Sequence, residues 1–258
     1  MNRGYLPTTE GKDHHKRDTE LIDGWLRSLG EFEPSSKNDI KLLIENAQTL
    51  AFKEQDKIQH IMGYQKFEKW LGKPKSSVLC LRAETAPEDI INFMSVSTAM
   101  LAMTLGEATG FVVLSCFCSL RKKASLLERD SGALAIVNSL NGQLLRIMLE
   151  RQPPINIPFD QNDKVWNKST ESFTYSCALL KKLLALLPPS SVVFVLLDSV
   201  SRTSGDKGLV DDLVERIWRI GRRSTSIVVK TLVTDPVPSS RIREIADFSL
   251  HVPDDVDG

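Results

Sequence analysis

The chain has 258 residues, 41% hydrophobic and 26% charged, and its 33 basic residues equal its 33 acidic residues in number. That length suits one large domain, or one domain with a helical appendage. A balanced charge gives no overall basic field, so neither nucleic acid nor an anionic membrane surface is predicted as a partner. The polar amino terminus has no signal-peptide core, and no apolar run approaches the roughly 20 residues that span a bilayer.

The cysteines indicate a reducing environment. All four lie in apolar surroundings, at Cys80, Cys116, Cys118 and Cys177. This pattern is typical of buried thiols in an intracellular protein, and we predict a cytoplasmic location. The pair at Cys116 and Cys118 lacks a second pair of ligands, so no metal site is predicted.

The amino-terminal quarter is predicted to be helical after a short leader. Residues 1–18 are polar and are expected to be disordered. Residues 19–75 form an expected helical region, with apolar residues at helical spacing in three segments, at 19–29, about 36–51 and about 56–71.

Residues 76–258 alternate between apolar strands and helices. The predicted strands are 76–81, 110–117, 192–198, 227–233 and 248–252. The predicted helices between them are about 86–105, 131–149, 172–187, 209–220 and 239–246. This alternation predicts an α/β domain with a parallel sheet of about five strands, flanked by helices.

The strand that ends at Asp198 is the first place to expect chemistry. Six apolar residues, 192–197, precede the carboxylate, which is typical of a strand buried on both faces. Ligands of parallel α/β sheets bind beyond the carboxyl ends of the strands. The alternative is that Asp198 only begins a turn.

Several segments, in this order, resemble the fungal branch of the STAND P-loop NTPases, the NACHT-like proteins. They are residues 64–71 (YQKFEKWL) with 76–81 (SSVLCL), 111–118 (FVVLSCFC), 132–145, the strand ending at Asp198, and 229–236 (VKTLVTDP). The resemblance implies a P-loop NTPase-like sheet of the ASCE type, with Asp198 at the Walker B position and Thr234 at the sensor position. It also implies that the Asp198 strand lies between the strands at 111–117 and 227–233, with the 76–81 strand beyond the latter.

The phosphate loop departs from that family. Residues 82–89 (RAETAPED) contain no glycine and no Lys-Ser/Thr pair, the groups that cradle phosphates and Mg²⁺. Thr85 and Glu88 have capping-box spacing instead, which predicts a helix that begins near Ala86 and satisfies its own amide groups. Glu84, Glu88 and Asp89 would place negative charge where phosphates bind. Ser199 follows Asp198, so the second acid of active relatives is missing.

The sequence therefore favours a degenerate, non-catalytic NTPase-like domain, with no cofactor, that serves as a scaffold or interaction module for a protein partner. One alternative is a protein that binds or weakly hydrolyses ATP or GTP with Mg²⁺ through non-standard contacts, and another is an unrelated α/β enzyme or binding domain. Arg202, Arg241 and Arg243 are candidates to face phosphates, although solvated positions are favoured. Lys230, inside an apolar strand, is expected near a sheet edge or paired.

Overall fold

The computed structural model describes residues 9–29, 36–108, 110–121, 132–151, 155–160 and 162–256. Its helices are α1 (Thr9–Ser28), α2 (Lys37–Asn46), α3 (Phe52–Gly63), α4 (Gln65–Gly72), α5 (Phe93–Glu107), α6 (Ala133–Glu150), α7 (Lys164–Lys168), α8 (Phe173–Ala185), α9 (Lys207–Arg223) and α10 (Ser240–Ile245). Its strands are β1 (Ser77–Ala83), β2 (Phe111–Phe117), β3 (Val192–Asp198), β4 (Val228–Thr234) and β5 (Phe248–Val252). Short 3₁₀ turns occur at Ala47–Thr49, Cys118–Arg121 and Val200–Arg202.

The five strands form one all-parallel sheet in the order β2-β3-β4-β1-β5. The predicted α/β class and parallel sheet are confirmed. The predicted neighbours are confirmed too, because β3 lies between β2 and β4, and β1 lies on the far side of β4. Below, the "carboxyl edge" is the side of the sheet where the strands end, and the "amino edge" is the side where they begin.

Helices cover both faces of the sheet, which explains the continuous apolar runs. Alternate residues of β3 enter different cores: Val193 and Val195 pack with α1, α6, α8 and α9. Phe194 and Leu196 pack with α3, α4 and α5 on the other face. A strand buried on both faces is apolar at most positions, so its boundaries are easy to predict.

The amino-terminal helices belong to these same two cores. Trp25 of α1 is buried and its Nε1 donates to Ser169 Oγ at 2.7 Å, while Trp70 of α4 is buried on the opposite face. The predicted helix start at 19 is wrong, since α1 begins at Thr9; residues 1–8 lie outside the described part. The predicted segment 56–71 is two helices, because Tyr64 is extended and separates α3 from α4.

The largest local difference concerns α5. It begins at Phe93, not near Ala86, so residues 84–92 form a loop after β1. Asn92 adopts an extended conformation and caps the helix, whereas the predicted cap at Thr85 is wrong. This change decides which groups lie at the carboxyl edge.

All four cysteines are buried and none forms a disulfide, as the apolar surroundings predict. None of the helices in the described ranges is long and apolar enough to cross a membrane.

Candidate functional site

Asp198 and Thr234 meet at the carboxyl edge. Asp198 is the last residue of β3, and its side chain has no solvent exposure. Its Oδ1 accepts a hydrogen bond from Thr234 Oγ1 at 2.6 Å, and its Oδ2 accepts one from Ser95 Oγ at 2.7 Å. Both carboxylate oxygens therefore already have a protein donor.

Thr234 also fixes the turn that follows Asp198. Its Oγ1 accepts a hydrogen bond from the Ser199 amide at 2.9 Å while it donates to Asp198. Ser199 has a φ of 53°, a left-handed conformation that is uncommon for a residue with a side chain. The hydroxyl of Thr234 thus joins the ends of β3 and β4 through two buried hydrogen bonds.

The electrostatics of Asp198 are dominated by burial, which raises the pKa of its carboxyl group above the ordinary value. Hydrogen bonds from Thr234 and Ser95, and the positive charge of Arg202, oppose that rise. Within the described residues Asp198 has no ion-pair partner. The surrounding hydroxyl groups stabilise the carboxylate where a cation would do so in a metal site.

The first amide groups of α5 are also occupied. Asn92 Oδ1 accepts hydrogen bonds from the amides of Met94 at 3.0 Å and Ser95 at 3.2 Å. Glu54 Oε2, from α3, accepts one from the Phe93 amide at 3.3 Å. The predicted capping by Thr85 and Glu88 is therefore wrong: the amide groups at the start of α5 bond to Asn92 and to Glu54 of α3.

Residues 84–92 are tied to neighbouring segments. Arg202 Nη1 donates to the carbonyl oxygen of Asp89 at 2.9 Å, and its Nη2 donates to the carbonyl oxygen of Pro87. Thr85 Oγ1 donates to Asp254 Oδ2 at 2.6 Å, so this hydroxyl serves the carboxyl-terminal segment and not the start of α5. Arg202 therefore holds the loop through backbone groups.

The loop carries exposed negative charge. The side chains of Glu84, Glu88 and Asp89 are all exposed. Glu84 Oε2 accepts a hydrogen bond from the Asp254 amide at 3.0 Å. These acids lie in the segment that would wrap phosphates in a P-loop, and their negative charge would repel the phosphate groups.

Asp235 is a second buried acid at this edge, which the sequence reasoning missed as a candidate. It follows Thr234 directly and is only 2% exposed, and its Oδ1 accepts from the Val237 amide at 3.0 Å. Burial raises the pKa of its carboxyl group, opposed mainly by hydrogen bonds from Ser201. Within the described ranges, no cluster of three or more His, Cys, Asp or Glu side chains is placed to hold a metal ion.

The remaining cationic candidates lie in other environments. Arg241 is ion-paired with Glu215 of α9. Arg243 is exposed and has no hydrogen-bond or ion-pair partner among the described residues.

Lys230 lies on β4, an inner strand of the sheet, so the expected position near an edge strand is wrong. The expected partners are present, and they are backbone carbonyl groups. Its Nζ donates to the carbonyl oxygens of Trp70, at 2.6 Å, and Lys73. Burial, and then the nearby charge of Lys73, lower the pKa of this ammonium group to about 8. Its role is to satisfy carbonyl groups at the end of α4.

Comparison with known proteins adds no further guide to this site. No protein-family model matches the chain, and no curated protein is significantly similar to it.

Proposed function

We propose that this chain is a non-catalytic P-loop NTPase-like domain of the ASCE type, related to the fungal STAND class, that acts as a scaffold or interaction module. The strand order supports the ASCE assignment, because β1, β4 and β3 lie where the Walker A, sensor and Walker B strands would lie. Asp198 and Thr234 are then vestigial Walker B and sensor residues.

The observation that carries the proposal is the occupied start of α5. In an anion site, the free amides of a helix start bind phosphate together with the helix dipole. Here Asn92 and Glu54 already accept from the amides of Phe93, Met94 and Ser95. A triphosphate would have to displace a carboxylate and an amide oxygen without the lysine that normally compensates.

The state of Asp198 supports the same conclusion. To bind Mg²⁺, its carboxylate would exchange the hydroxyl groups of Ser95 and Thr234 for a cation and its water. Nothing in residues 84–92 supplies the phosphate cradle that such an ion would bridge. The hydrogen-bonded arrangement is more stable than an empty metal site would be.

The exposed side chains at this edge favour a protein partner. Ile90, Leu209 and Val237 follow β1, β3 and β4 respectively, so they lie on the carboxyl side of the sheet, and they are 50%, 39% and 76% exposed. Apolar groups next to charged ones are common in protein interfaces. The proposed interaction surface therefore covers the position where a nucleotide would bind in active relatives.

Calorimetric titration with ATP and GTP in the presence of Mg²⁺ tests the non-catalytic role. We expect no binding at millimolar nucleotide, in the wild type and in Asp198→Asn alike. Micromolar binding by the wild type that Asp198→Asn abolishes would overturn the proposal in favour of an ATP- or GTP-binding protein with Mg²⁺.

A second experiment tests the interaction surface. Affinity purification with the wild type and with Ile90→Asp/Val237→Asp, compared side by side, should identify partners that only the wild type retains. Met103→Asp, which changes an exposed apolar residue near the end of α5 (40% exposed), away from the carboxyl edge, is the matched control. Equal partner sets for the wild type and the double variant would argue against this surface.

A further inference from the structure

A groove between α8 and α9 lies at the amino edge of the sheet, at the opposite end of the strands from Asp198. Its volume is about 490 Å³, within the usual range of small-ligand pockets. Ser224, Ser226 and Ile227, which lead into β4, complete its wall. The groove is therefore separate from the proposed vestigial nucleotide site.

Each helix turns one face toward this groove. The lining residues recur at helical spacing, at 177, 178, 181, 184 and 185 on α8 and at 216, 219, 220 and 223 on α9. Among the described residues, the groove is lined only by these two helices and by the segment that leads into β4.

The floor of the groove is apolar. Cys177, Leu184 and Ile227 line it and are each at most 5% exposed. Burial raises the pKa of the Cys177 thiol to about 12, so this side chain is neutral near pH 7 and behaves as a small apolar group. Such a floor favours the apolar part of a ligand.

The walls are basic. The groove is lined by Lys181, Arg216, Arg219 and Arg223, and none of the described residues that line it is a carboxylate. Arg216 and Arg219 are neutralised by acids on their own helix, one of them Asp212 at 2.7 Å.

Lys181 and Arg223 differ from these two arginines. They come from opposite walls, both are exposed, and neither has a hydrogen-bond or ion-pair partner in the part of the chain that the structure describes. Two cations that no described residue neutralises, above an apolar floor, suit a group that is both anionic and attached to an apolar body.

We propose that this groove binds a small organic anion, with its apolar body against Cys177 and Leu184 and its anionic group between Lys181 and Arg223. The proposal is independent of the nucleotide question, since it uses other residues at the other edge. It commits to a carboxylate, sulfonate or phosphate ester of an aromatic or aliphatic compound.

Calorimetric titration with naphthalene-2-carboxylate tests the class of ligand. We expect binding, and at least about tenfold weaker binding of both the neutral naphthalene-2-carboxamide and acetate, because each lacks one of the two features. No binding of the naphthoate at millimolar concentration, or equal binding of the amide, would overturn the proposal. Tighter binding of a polyglutamate peptide than of the naphthoate would assign the groove to an acidic protein segment and also overturn it.

Substitutions test the location. Lys181→Glu/Arg223→Glu should weaken naphthoate binding at least about tenfold, since both attractive charges become repulsive. Ala178→Trp should abolish binding by filling the floor, with circular dichroism and thermal unfolding confirming that the variant is folded.

Lys75→Glu is the matched control. Lys75 is an exposed lysine at the same edge, but it lines a neighbouring depression of about 450 Å³ and not the groove. Its affinity for the naphthoate should equal that of the wild type. Lost binding in Lys75→Glu with retained binding in the double variant would place the ligand in that depression and overturn the assignment.

Discussion

At the carboxyl edge, Asp198 and Asp235 are buried and hydrogen-bonded. At the amino edge, the cations of Lys181 and Arg223 are exposed and have no ion-pair partner among the residues that the structure describes. A ligand at the first edge must replace protein hydrogen bonds before it gains any of its own. A ligand at the second edge replaces only water. A buried group that is already hydrogen-bonded is therefore a poorer indication of a ligand site than an exposed charged group without a protein partner.

The substitution with the largest expected effect removes the centre of the carboxyl edge. Asp198→Ala should lower the free energy of unfolding by about 3 kcal/mol, because the buried hydroxyls of Ser95 and Thr234 each lose their acceptor at about 1–3 kcal/mol. Urea unfolding at pH 7 measures the change. A variant as stable as the wild type would mean that these hydroxyls do not depend on the carboxylate.

Asp198→Asn keeps the size and shape of the side chain and removes only its charge, so it is the control for Asp198→Ala and also tests the effect of the charge. Its amide oxygen still accepts a hydrogen bond from one of the two hydroxyl groups, so we expect the free energy of unfolding to fall by about 1 kcal/mol. The pKa of Asp198 is higher in the folded protein than in the unfolded chain. At a pH between these two values, the folded protein therefore holds a proton that the unfolded chain has released. The stability of the wild type relative to Asp198→Asn should therefore fall as the pH rises from about 4 through that pKa. A difference that does not vary with pH would contradict the raised pKa.

Lys230 extends the comparison to a buried cation. Unlike Lys181 and Arg223, it lies inside the sheet, on the amino half of β4, and its ammonium group is hydrogen-bonded to backbone carbonyls. Lys230→Met should lower the free energy of unfolding by about 2 kcal/mol at pH 7, since the carbonyl oxygens of Trp70 and Lys73 lose their donor. By contrast, the exposed Lys75→Gln should change it by less than about 0.5 kcal/mol.

The pH dependence of Lys230 has the opposite sign to that of Asp198. Its folded-state pKa of about 8 lies below the ordinary 10.5, so between these values the unfolded chain binds the extra proton. The stability of the wild type relative to Lys230→Met should therefore rise as the pH increases from about 8 to 10. A falling difference over that range would show that the ammonium form is favoured in the fold.

The sequence is sufficient to predict the sheet but not the contacts that close its carboxyl edge. β3 has the predicted bounds because it is covered on both faces and is apolar up to Asp198. β5 has the predicted bounds too, although it is the edge strand and its Ser249 and His251 are exposed. The strand order was predicted only from the resemblance to the NTPase family. The sequence misplaces the start of α5 because Thr85 and Glu88 have capping-box spacing, although Asn92 before an apolar run is also a helix-start signal.

Two further contacts at the start of α5 have no signal in the sequence. Ser95, in the first turn of α5, donates to Asp198, which lies 103 residues later in the chain. Glu54 accepts a hydrogen bond from the amide of Phe93, which lies 39 residues later in the chain. No local sequence pattern indicates such a hydrogen bond. Long-range polar contacts of this kind follow from packing, which sequence spacing does not specify.

Asn92 tests how firmly the start of α5 is closed. Asn92→Ala should lower the free energy of unfolding by about 1 kcal/mol, the usual value for the loss of a helix cap. Asn92→Asp, which keeps the acceptor, should lie within about 0.5 kcal/mol of the wild type. Equal losses in both variants would indicate that packing around Asn92, and not its hydrogen bonds to Met94 and Ser95, is what matters.

The smallest expected effect on global stability belongs to Arg202, which holds residues 84–92 through the carbonyl oxygens of Pro87 and Asp89. Arg202→Gln should lower the free energy of unfolding by less than about 1 kcal/mol, because water can solvate these carbonyls. Amide hydrogen exchange in the loop should nevertheless accelerate by about tenfold. Local opening of the loop costs less free energy in the variant, because the two hydrogen bonds from Arg202 no longer have to be broken. Arg243→Gln, at an exposed arginine without a partner among the described residues, should change neither quantity. If the loop of Arg202→Gln exchanges at the wild-type rate, the loop is held by Thr85 and Glu84 through their bonds to Asp254, and the closure of this edge does not depend on Arg202.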